Sequence, residues 1–231
     1  MLALLRSGLT ELGLDSSRAE ELSAFASLVL ERNRVMNLTA ITEEADFARL
    51  HLLDSAFLLR AEDFRGKRVI DVGAGAGFPG VPLRILEPDF DLTLLDSLGK
   101  RVDFLREACE ALSLQRVECV HARAEEYASA HRERFDIATA RAVASLPLLC
   151  ELALPLVRVG GVFLAMKSTS SDEELRQSER AIKTLGAKAE RSVDYTIPGS
   201  DICHRLIVLR KIAPTPKNYP RPFAKIKKNP L

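Results

Sequence analysis

Tryptophan is absent from this 231-residue sequence, and aromatic residues make up only 6% of it. Stacking several bases at once requires several exposed rings, so we do not expect a broad stacking platform for single-stranded nucleic acid. The sequence also lacks any run that approaches the roughly 20 uninterrupted apolar residues of a membrane-spanning helix. No membrane partner is therefore predicted.

Cysteine is scarce and dispersed. The four cysteines, at positions 109, 119, 150 and 203, include no Cys-x-x-Cys pair, so we predict neither a metal site nor a disulfide framework. Residues 1–14 are apolar but interrupted by charged and small residues, and they lack the charged lead and cleavage site of a secretory signal. These features predict a cytoplasmic protein with core thiols.

An excess of charge of one sign is also missing overall, since the net charge is only +1. The charge is unevenly placed, however, because residues 210–231 carry seven lysines and arginines and no acid. Subtracting these seven leaves about −6 on the rest of the chain. Such a tail indicates either a polyanionic partner approached from one side or a terminus that aids solubility.

The most informative segment that is present spans residues 69–80. It predicts a buried strand ending at Asp71, followed by a loop with four glycines in eight residues. A second predicted strand, 92–95, ends at Asp96. Glycines let the backbone approach a ligand, and the acid can accept hydrogen bonds from ribose hydroxyls, so the pattern indicates a socket for an adenosine-containing cofactor. The alternative is that both acids cap strand ends and the glycines only turn the chain.

Strand and helix patterns alternate along the chain. Strands are predicted at 68–72, 92–96, 117–121, 135–140, 162–167, 188–196 and 204–212. Helices are predicted at 81–86, 100–112, 125–130, 146–157 and 172–185, and earlier at 16–33, with Ser17 and Glu20 as a capping box, and at 43–60, capped by Thr42. A turn at 198–201 joins the last two strands.

This order predicts an α/β fold with a seven-stranded, mostly parallel sheet, a terminal antiparallel strand pair and N-terminal helices. Residues 1–60 are expected to form a helical extension and residues 61–212 the cofactor-binding core. Residues 213–231 are expected to form a basic, proline-rich tail packed on the core as extended chain rather than as a helix. All three belong to one structural domain.

The glycines allow two interpretations of the cofactor. Residues 75–80 fit the GxGxxG pattern of dinucleotide-binding proteins, such as NAD-dependent oxidoreductases, whereas Gly73, Gly75 and Gly77 after Asp71 fit the first motif of methyltransferases that use S-adenosylmethionine. Pro79 and Pro82 flank the last glycine, so we predict that the helix begins near residue 81 and leaves every glycine in the loop. This arrangement and the terminal antiparallel pair favour a class I methyltransferase, which has a Rossmann-like fold.

Several segments are more specific. They are 33–41 (NRVMNLTAI), 51–55 (HLLDS), 71–80 (DVGAGAGFPG), 96–101 (DSLGKR), 122–126 (ARAEE), 140–142 (ARA) and 215–222 (TPKNYPRP). Across nearly the whole chain the sequence resembles the bacterial RsmG (GidB) family, which methylates N7 of one guanine in small-subunit ribosomal RNA. The chain departs from that family in its tail, where the family usually has a glycine shortly after Tyr-Pro-Arg, and at Gly99.

The resemblance implies S-adenosyl-L-methionine as cofactor, with 16S ribosomal RNA, the small ribosomal subunit or an assembly intermediate as partner, and nothing requires more than a monomer. Together with the loop motif, it predicts the cofactor-binding residues Asp71, Gly73, Gly75, Gly77, Phe78, Asp96, Ser97, Leu98, Ala124, Glu125 and Arg141. Taken alone, Glu125 could also be a solvated helix start. A third interpretation of the chain is a non-catalytic ribosome-assembly factor that retains the fold.

The implied reaction needs no general base, because guanine N7 already carries an in-plane lone pair. Asn37, His51 and Arg141 are therefore candidates for positioning. Asn37 either caps a turn or reaches the guanine edge. His51 and Asp54 could hydrogen-bond each other and tie the N-terminal helices to the core, or could face the target base.

The predicted RNA-binding residues share a positive charge and a place near the expected site or in the tail. They are Arg32, Arg34, Lys167, Lys217, Arg221, Lys225, Lys227 and Lys228. Because contacts with phosphates release counterions, RNA binding through these residues should weaken strongly as salt rises.

Overall fold

A computed structural model describes residues 1–141 and 144–231, and these residues form one seven-stranded sheet. Its strands are β1 Lys67–Val72, β2 Phe90–Asp96, β3 Val117–His121, β4 Phe135–Arg141, β5 Val157–Ser168, β6 Ala187–Thr196 and β7 Cys203–Lys211. The strand order is β3-β2-β1-β4-β5-β7-β6. Strands β1 to β5 run parallel, and β7 is antiparallel to both β5 and β6. The predicted sheet is confirmed.

The same residues form eleven α-helices. These are α1 Leu2–Glu11, α2 Ala19–Met36, α3 Glu44–Phe47, α4 Asp54–Ala56, α5 Leu58–Ala61, α6 Gly80–Leu86, α7 Gly99–Ala111, α8 Ala124–Ala130, α9 Leu146–Ala153, α10 Asp172–Thr184 and α11 Phe223–Lys228. A π-helical turn, Ala48–Leu53, joins α3 to α4, and a 3₁₀ turn, Leu154–Leu156, follows α9. Within the described ranges, no helix is long and apolar enough to cross a membrane.

Helices cover both faces of the sheet, and the sheet separates the hydrophobic core into two parts. Helices α1 to α7 bury their apolar side chains on one face, and α8 to α11 bury theirs on the other. A parallel strand covered on both faces is apolar at consecutive positions, which is why residues 69–72 of β1 are all buried. The chain reverses its direction of travel across the sheet between β1 and β4, and ligands bind at such a reversal at the carboxyl ends of the strands.

The N-terminal helices belong to the first of these cores. Helix α1, which was not among the predicted helices, buries Leu5 and Leu9 completely. A Cβ atom built on Gly8 would lie 2.4 Å from Leu53 Cδ1, so the absence of a side chain there lets α1 approach the π-helical turn closely. Residues 1–60 are therefore packed on the sheet rather than set apart from it.

Both predicted helix caps in this region are wrong. The N-cap of α2 is Arg18, and Ser17 instead turns back to Asp15 while Glu20 pairs with Arg6. The second helix begins at α3 and is capped by Glu43, not by Thr42, because the Glu43 carboxylate accepts a 2.8 Å hydrogen bond from the backbone of Asp46. At α3 the carboxylate is a stronger acceptor than a hydroxyl, whereas α2 has no side-chain cap at all.

The tail also differs from the prediction, because residues 223–228 form the short helix α11. Ile226 is fully buried and packs in the second core. Arg221 donates to both carboxylate oxygens of Glu151, a fully buried residue of α9, at 2.8 and 2.6 Å. The tail thus contacts the body through Ile226 and through Arg221, one of its cations.

Candidate functional site

The loop between β1 and α6 depends on glycine. Gly73, Gly75 and Gly77 have φ angles of 75°, 58° and 99°, a region that L-residues with side chains rarely adopt. At Gly77 a Cβ atom would lie 2.8 Å from Val81 Cγ2 and 3.0 Å from Phe25 Cζ. The loop therefore folds tightly against α6 and α2 and leaves its outer backbone open to a ligand.

Asp71, in the buried strand β1, connects the end of this loop to the sheet by hydrogen bonds. It is fully buried, and its two carboxylate oxygens accept hydrogen bonds from the Gly80 backbone at 2.9 Å and from the Thr139 hydroxyl at 3.0 Å. Burial raises the pKa of Asp71 to about 6, while these two hydrogen bonds act in the opposite direction. Gly80 is the first residue of α6 and not a loop residue as predicted. A Cβ there would lie 2.9 Å from Asp71 Oδ2, so the absence of a side chain lets the helix begin close to this carboxylate.

Asp96 closes the loop from the neighbouring strand. It is 4% exposed and ends β2, where its Oδ2 accepts a 2.9 Å hydrogen bond from the Gly75 backbone. Its Oδ1 accepts from the Leu98 backbone at 2.9 Å, and the Arg101 guanidinium lies 3.7 Å away. Because each carboxylate oxygen can accept more than one hydrogen bond, Asp96 keeps acceptor capacity toward the cavity beside it.

Two adjoining cavities open along the loop. The larger, about 400 Å³, is lined by Leu38, Thr39, His51, Gly73, Ala74, Gly75, Ala76, Phe78, Asp96, Ser97, Arg101 and Arg141. The smaller, about 140 Å³, shares Gly73, Asp96 and Ser97 with it and is otherwise lined by Val72, Leu95, Ala122, Arg123, Ala124, Glu125, Leu152 and Phe223. A wide polar end beside a narrow apolar end, with an acid between them, fits an aminoacyl–ribose–adenine ligand.

A third cavity, of about 370 Å³, lies on the other side of His51 and Arg141. Ile41, Leu50, Asp54, Met166, Lys167, Ser168 and His204 complete its lining. His51 and Arg141 therefore form a wall shared by two cavities. A cavity of about 690 Å³ at the opposite edge of the sheet is larger than each of these three. We nevertheless place the site at the 400 Å³ cavity, because the glycine loop and Asp96 line it.

Arg141 is the centre of the shared wall. Its Nη1 donates to the Leu50 carbonyl at 2.8 Å and to Asp54 Oδ2 at 3.3 Å, and its Nη2 lies 2.9 Å from His51 Nδ1. The guanidinium also stacks 4.9 Å from the centre of the Phe78 ring. Burial lowers the pKa of Arg141, whereas Asp54 raises it. The cation is thus fixed on every side, in the manner typical of a residue that positions others.

Asp54 compensates this charge. It is 1% exposed, and besides Arg141 its carboxylate accepts hydrogen bonds from the Tyr195 hydroxyl at 2.7 Å and from His204 Nδ1 at 2.9 Å. Tyr195 and His204 are cross-strand neighbours in β6 and β7. Neither residue was among the predicted site residues, because β6 is largely polar and exposed, so that Tyr195 does not stand out in its strand.

His51 has a defined tautomer. Arg141 can only donate, so His51 Nδ1 must accept, and Nε2 must then carry the proton and donate to Thr39 Oγ1 at 2.7 Å. The ring stacks on Phe78 at 4.6 Å. Burial, followed by the Arg141 cation, lowers the pKa of His51 to about 3. His51 is therefore neutral throughout the physiological range.

The neutral His51 predicts a pH-dependent stability. Its folded pKa of about 3 lies below the ordinary 6.5, so the unfolded chain binds more protons between these values, and stability is lost as pH falls through 6.5. Against the non-titrating His51→Gln variant, the wild type should lose about 2 kcal/mol of unfolding free energy between pH 7 and pH 5. Urea unfolding at each pH measures this.

Asp71 also titrates in this pH range, but it does so in both proteins. Its raised pKa makes stability fall as pH rises from 3.8 toward 6, which is the opposite sign, but it is present in both proteins and cancels in the difference. Parallel stability curves for the two proteins would contradict the assignment of a neutral His51.

Comparison with known proteins identifies the family to which the chain belongs. The model of a family described as "rRNA small subunit methyltransferase G" (GidB) matches residues 18–201. A relative named ribosomal RNA small subunit methyltransferase G, from Alkaliphilus metalliredigens, is 45% identical over 99% of this chain and 98% of its own. Another of the same name, from Clostridium perfringens, is 43% identical over 94% and 92%. The chain belongs to the rRNA small subunit methyltransferase G family.

Solved structures show the fold of this methyltransferase G family member independently. TrmN from Thermus thermophilus matches with a TM-score of 0.52 and 22% identity, over 69% of this chain and 48% of that one. The precorrin-6y C5,15-methyltransferase of Geobacter metallireducens matches with a TM-score of 0.51 and 15% identity, over 68% and 87%. The fold is that of class I methyltransferases, and the oxidoreductase alternative is set aside.

The predicted cofactor residues lie at one edge of this methyltransferase G sheet, but in different layers. Gly73, Gly75, Phe78, Asp96, Ser97 and Arg141 line the 400 Å³ cavity, and Ala124 and Glu125 line the 140 Å³ cavity. Leu98 is 52% exposed beside them. Asp71 is buried beneath the loop, and Gly77 is a loop residue that packs against Val81 and Phe25 rather than lining either cavity. Ala142, in one of the family-specific segments, lies outside the described residues.

Some of the other predicted residues are exposed to solvent, and others already form hydrogen bonds or ion pairs within the protein. Arg34, Asn37, Lys217, Lys225, Lys227 and Lys228 are exposed. Asn37 ends α2 as a left-handed C-cap, the turn-capping alternative, and Asp54 reaches His51 through Arg141 rather than directly. Three predicted RNA contacts already have partners: Arg32 pairs with Glu107, Lys167 with Glu174, and Arg221 with Glu151.

Proposed function

We propose that this protein transfers a methyl group from S-adenosyl-L-methionine to N7 of a guanine in 16S ribosomal RNA. The observation that carries the proposal is the pair of cavities that share His51 and Arg141 in their linings, one of which lies on the glycine loop. A cofactor and an acceptor base held in these two cavities would meet at that wall. Family membership supports the substrate class.

The residues present fit the cofactor. Asp96 would accept hydrogen bonds from the ribose hydroxyls, since its carboxylate ends β2 at the junction of the two loop cavities. The narrow cavity, with Leu95, Ala122 and Leu152 among its lining, suits the flat adenine, and Glu125 stands at its rim. When bound, the cofactor supplies an electrophilic methyl group on a positively charged sulfur.

The polar wall suits a base that needs no deprotonation. Guanine N7 attacks with its own lone pair, so the site has only to align base and methyl group, an effect of up to about 7–11 kcal/mol in well-oriented cases. The purine gains positive charge as it is methylated. Arg141 does not oppose this change as a bare cation would, because Asp54 compensates it and His51 is neutral.

We propose that the reaction takes place in the cytoplasm, where ribosomal RNA is available. We also propose that the protein acts as a monomer, because one chain carries every residue named in the proposal. The exposed Arg34 and the tail lysines would contact phosphates. Naked 16S RNA, the assembled small subunit and an assembly intermediate are all substrates that this arrangement allows.

The test is transfer of a tritiated methyl group from S-adenosylmethionine to small subunits that lack the modification, followed by mapping of the modified nucleotide. We expect one methyl group per particle, at a guanine N7. Because no group has to remove a proton, the single-turnover rate should change by less than about twofold between pH 6.5 and 8.5, whereas a general base would impose a titration.

Small subunits already modified at the same site are the matched control and should accept no methyl group. Binding of S-adenosylhomocysteine without any transfer, on naked RNA and on particles alike, would contradict the proposed activity and favour a non-catalytic assembly factor.

A further inference from the structure

The tail supplies part of the narrow loop cavity. Phe223, the first residue of α11, lines the 140 Å³ cavity together with Ala124, Glu125 and Leu152. The same ring also borders a groove of about 730 Å³ between α8 and the tail. Phe223 is half-buried and stands between these two spaces, so it forms the outer wall of the cavity.

The ring is held in this place from two directions along the tail. Two residues before it, Arg221 makes its paired hydrogen bonds with the buried Glu151, and three residues after it, Ile226 is fully buried. Further upstream, Arg132 donates to the Thr215 carbonyl at 2.7 Å and to the Tyr219 carbonyl. These contacts on both sides of Phe223 fix the position of its ring, so the wall of the cavity does not depend on a loose terminus.

Arg123 fixes the ring on its outer side. This residue is the N-cap of α8, immediately before Ala124, and its guanidinium lies 5.7 Å from the centre of the Phe223 ring. A contact of this kind between an arginine and an aromatic face is favourable. The exposed Lys225, Lys227 and Lys228 follow Phe223 on the same short helix.

We propose that Phe223 closes the adenine end of the cofactor site, so that binding of the cofactor and binding of a polyanion to the α11 lysines strengthen each other. The inference rests on the proposed function for the identity of the cofactor. A six-residue helix is marginal by itself, and a ligand packed against Phe223 adds contacts only when the tail is docked. Coupling between two sites is reciprocal, so each ligand must raise the affinity of the other by the same factor.

The first measurement is calorimetric titration of S-adenosylhomocysteine into the full-length protein. Replacing Phe223 with alanine should weaken binding about 3- to 10-fold, the loss expected for one aromatic contact, and Phe223→Tyr should restore it. Ile212→Ala, which removes an apolar side chain 53% exposed near the start of the tail, is the matched control and should bind as the wild type does. Equal binding by Phe223→Ala and the wild type would overturn the inference.

The second measurement is tail docking. Trypsin cleaves after Lys225, Lys227 and Lys228, and S-adenosylhomocysteine should slow this cleavage in the wild type but not in Phe223→Ala. It should also tighten filter binding of a 16S RNA transcript to the wild type, and less so to the variant. A protection factor that is the same in both proteins would contradict the coupling.

The two failures can be told apart. If the wild type binds no S-adenosylhomocysteine, the proposed function fails and this inference fails with it. If the wild type binds and methylates but Phe223→Ala matches it in affinity and in cleavage, only the inference fails. Thermal melting of the ligand-free proteins identifies a folding defect, and Phe223→Tyr then provides the comparison, because it keeps the ring.

Discussion

Replacing Arg141 with methionine is expected to slow methyl transfer by about 100- to 1,000-fold, the loss typical of removing one preorganised polar group from an active site. Methionine keeps part of the apolar stem against Phe78 but removes all three hydrogen bonds that join Leu50, Asp54 and His51. His51 then loses the donor that fixes its tautomer, and the wall between the two cavities loses its shape. Single-turnover kinetics at saturating cofactor measure this effect.

The same change should cost stability, because it leaves the buried Asp54 charge without its cation. Breaking one partner of a buried pair costs about 3–5 kcal/mol. The double variant Asp54→Asn/Arg141→Met removes the stranded charge and should recover much of that stability while remaining slow. Recovery of stability together with rate would show that Arg141 acts only on folding.

Arg158→Met is the matched control for this experiment. Arg158 begins β5 at the opposite edge of the sheet and pairs with Asp136 at 2.5 Å, with 44% of its side chain exposed. Like Arg141, it is an arginine paired with an aspartate, but it lines no cavity of the candidate site. Its loss should leave the rate within about twofold of wild type, because Arg158 lines none of the cavities of the candidate site.

The sheet was predictable because its signals are local. Most of the parallel strands are short apolar runs, and the predicted and observed strand ends agree within two residues, with β3 identical at 117–121. The exception is β5, which begins at Val157 rather than at the predicted residue 162. The end of a strand also locates its carboxylate. The position of Asp96 after an apolar run therefore predicted that it lies at the carboxyl edge of the sheet, where it lines both loop cavities.

The polar wall was not predictable in the same way. Asp54 meets Tyr195 and His204 across 141 and 150 residues of sequence, and no local pattern relates such positions. The π-helical turn that carries His51 alters the spacing on which helical pairing rules depend, so the predicted direct contact between His51 and Asp54 is replaced by one through Arg141.

Composition also counts charges without showing their partners. Residues 210–231 were predicted to present seven cations, but Lys211, the last residue of β7, is 1% exposed and bound to Glu133, and Arg221 is bound to Glu151. Arg221 therefore fixes the tail to the body, and Lys211 fixes the end of the strand that precedes it. The signal in the sequence is Glu151, an acid within the otherwise apolar predicted helix 146–157. An acid that becomes buried in such a helix requires a cation from elsewhere in the chain.

Replacing Asp96 with alanine should weaken binding of S-adenosylhomocysteine by about 100-fold or more. A hydrogen bond to a charged group contributes about 1.5–3 kcal/mol, and two ribose hydroxyls would lose such a partner, which corresponds to at least two powers of ten in the dissociation constant. The Gly75 and Leu98 backbone groups lose their acceptor as well, so the loop itself becomes less ordered. Calorimetric titration measures the dissociation constant directly.

Asp91→Ala provides the comparison within the same strand. Asp91 lies near the opposite end of β2, with 57% of its side chain exposed and Arg116 as its partner at 2.7 Å. The two variants remove the same group from one strand, so any general weakening of β2 should appear in both. If Asp91→Ala binds as the wild type does and Asp96→Ala loses affinity, the loss belongs to the ribose position. If Asp96→Ala keeps full affinity, the cofactor does not lie between the glycine loop and the end of β2, and the site proposed for it is wrong.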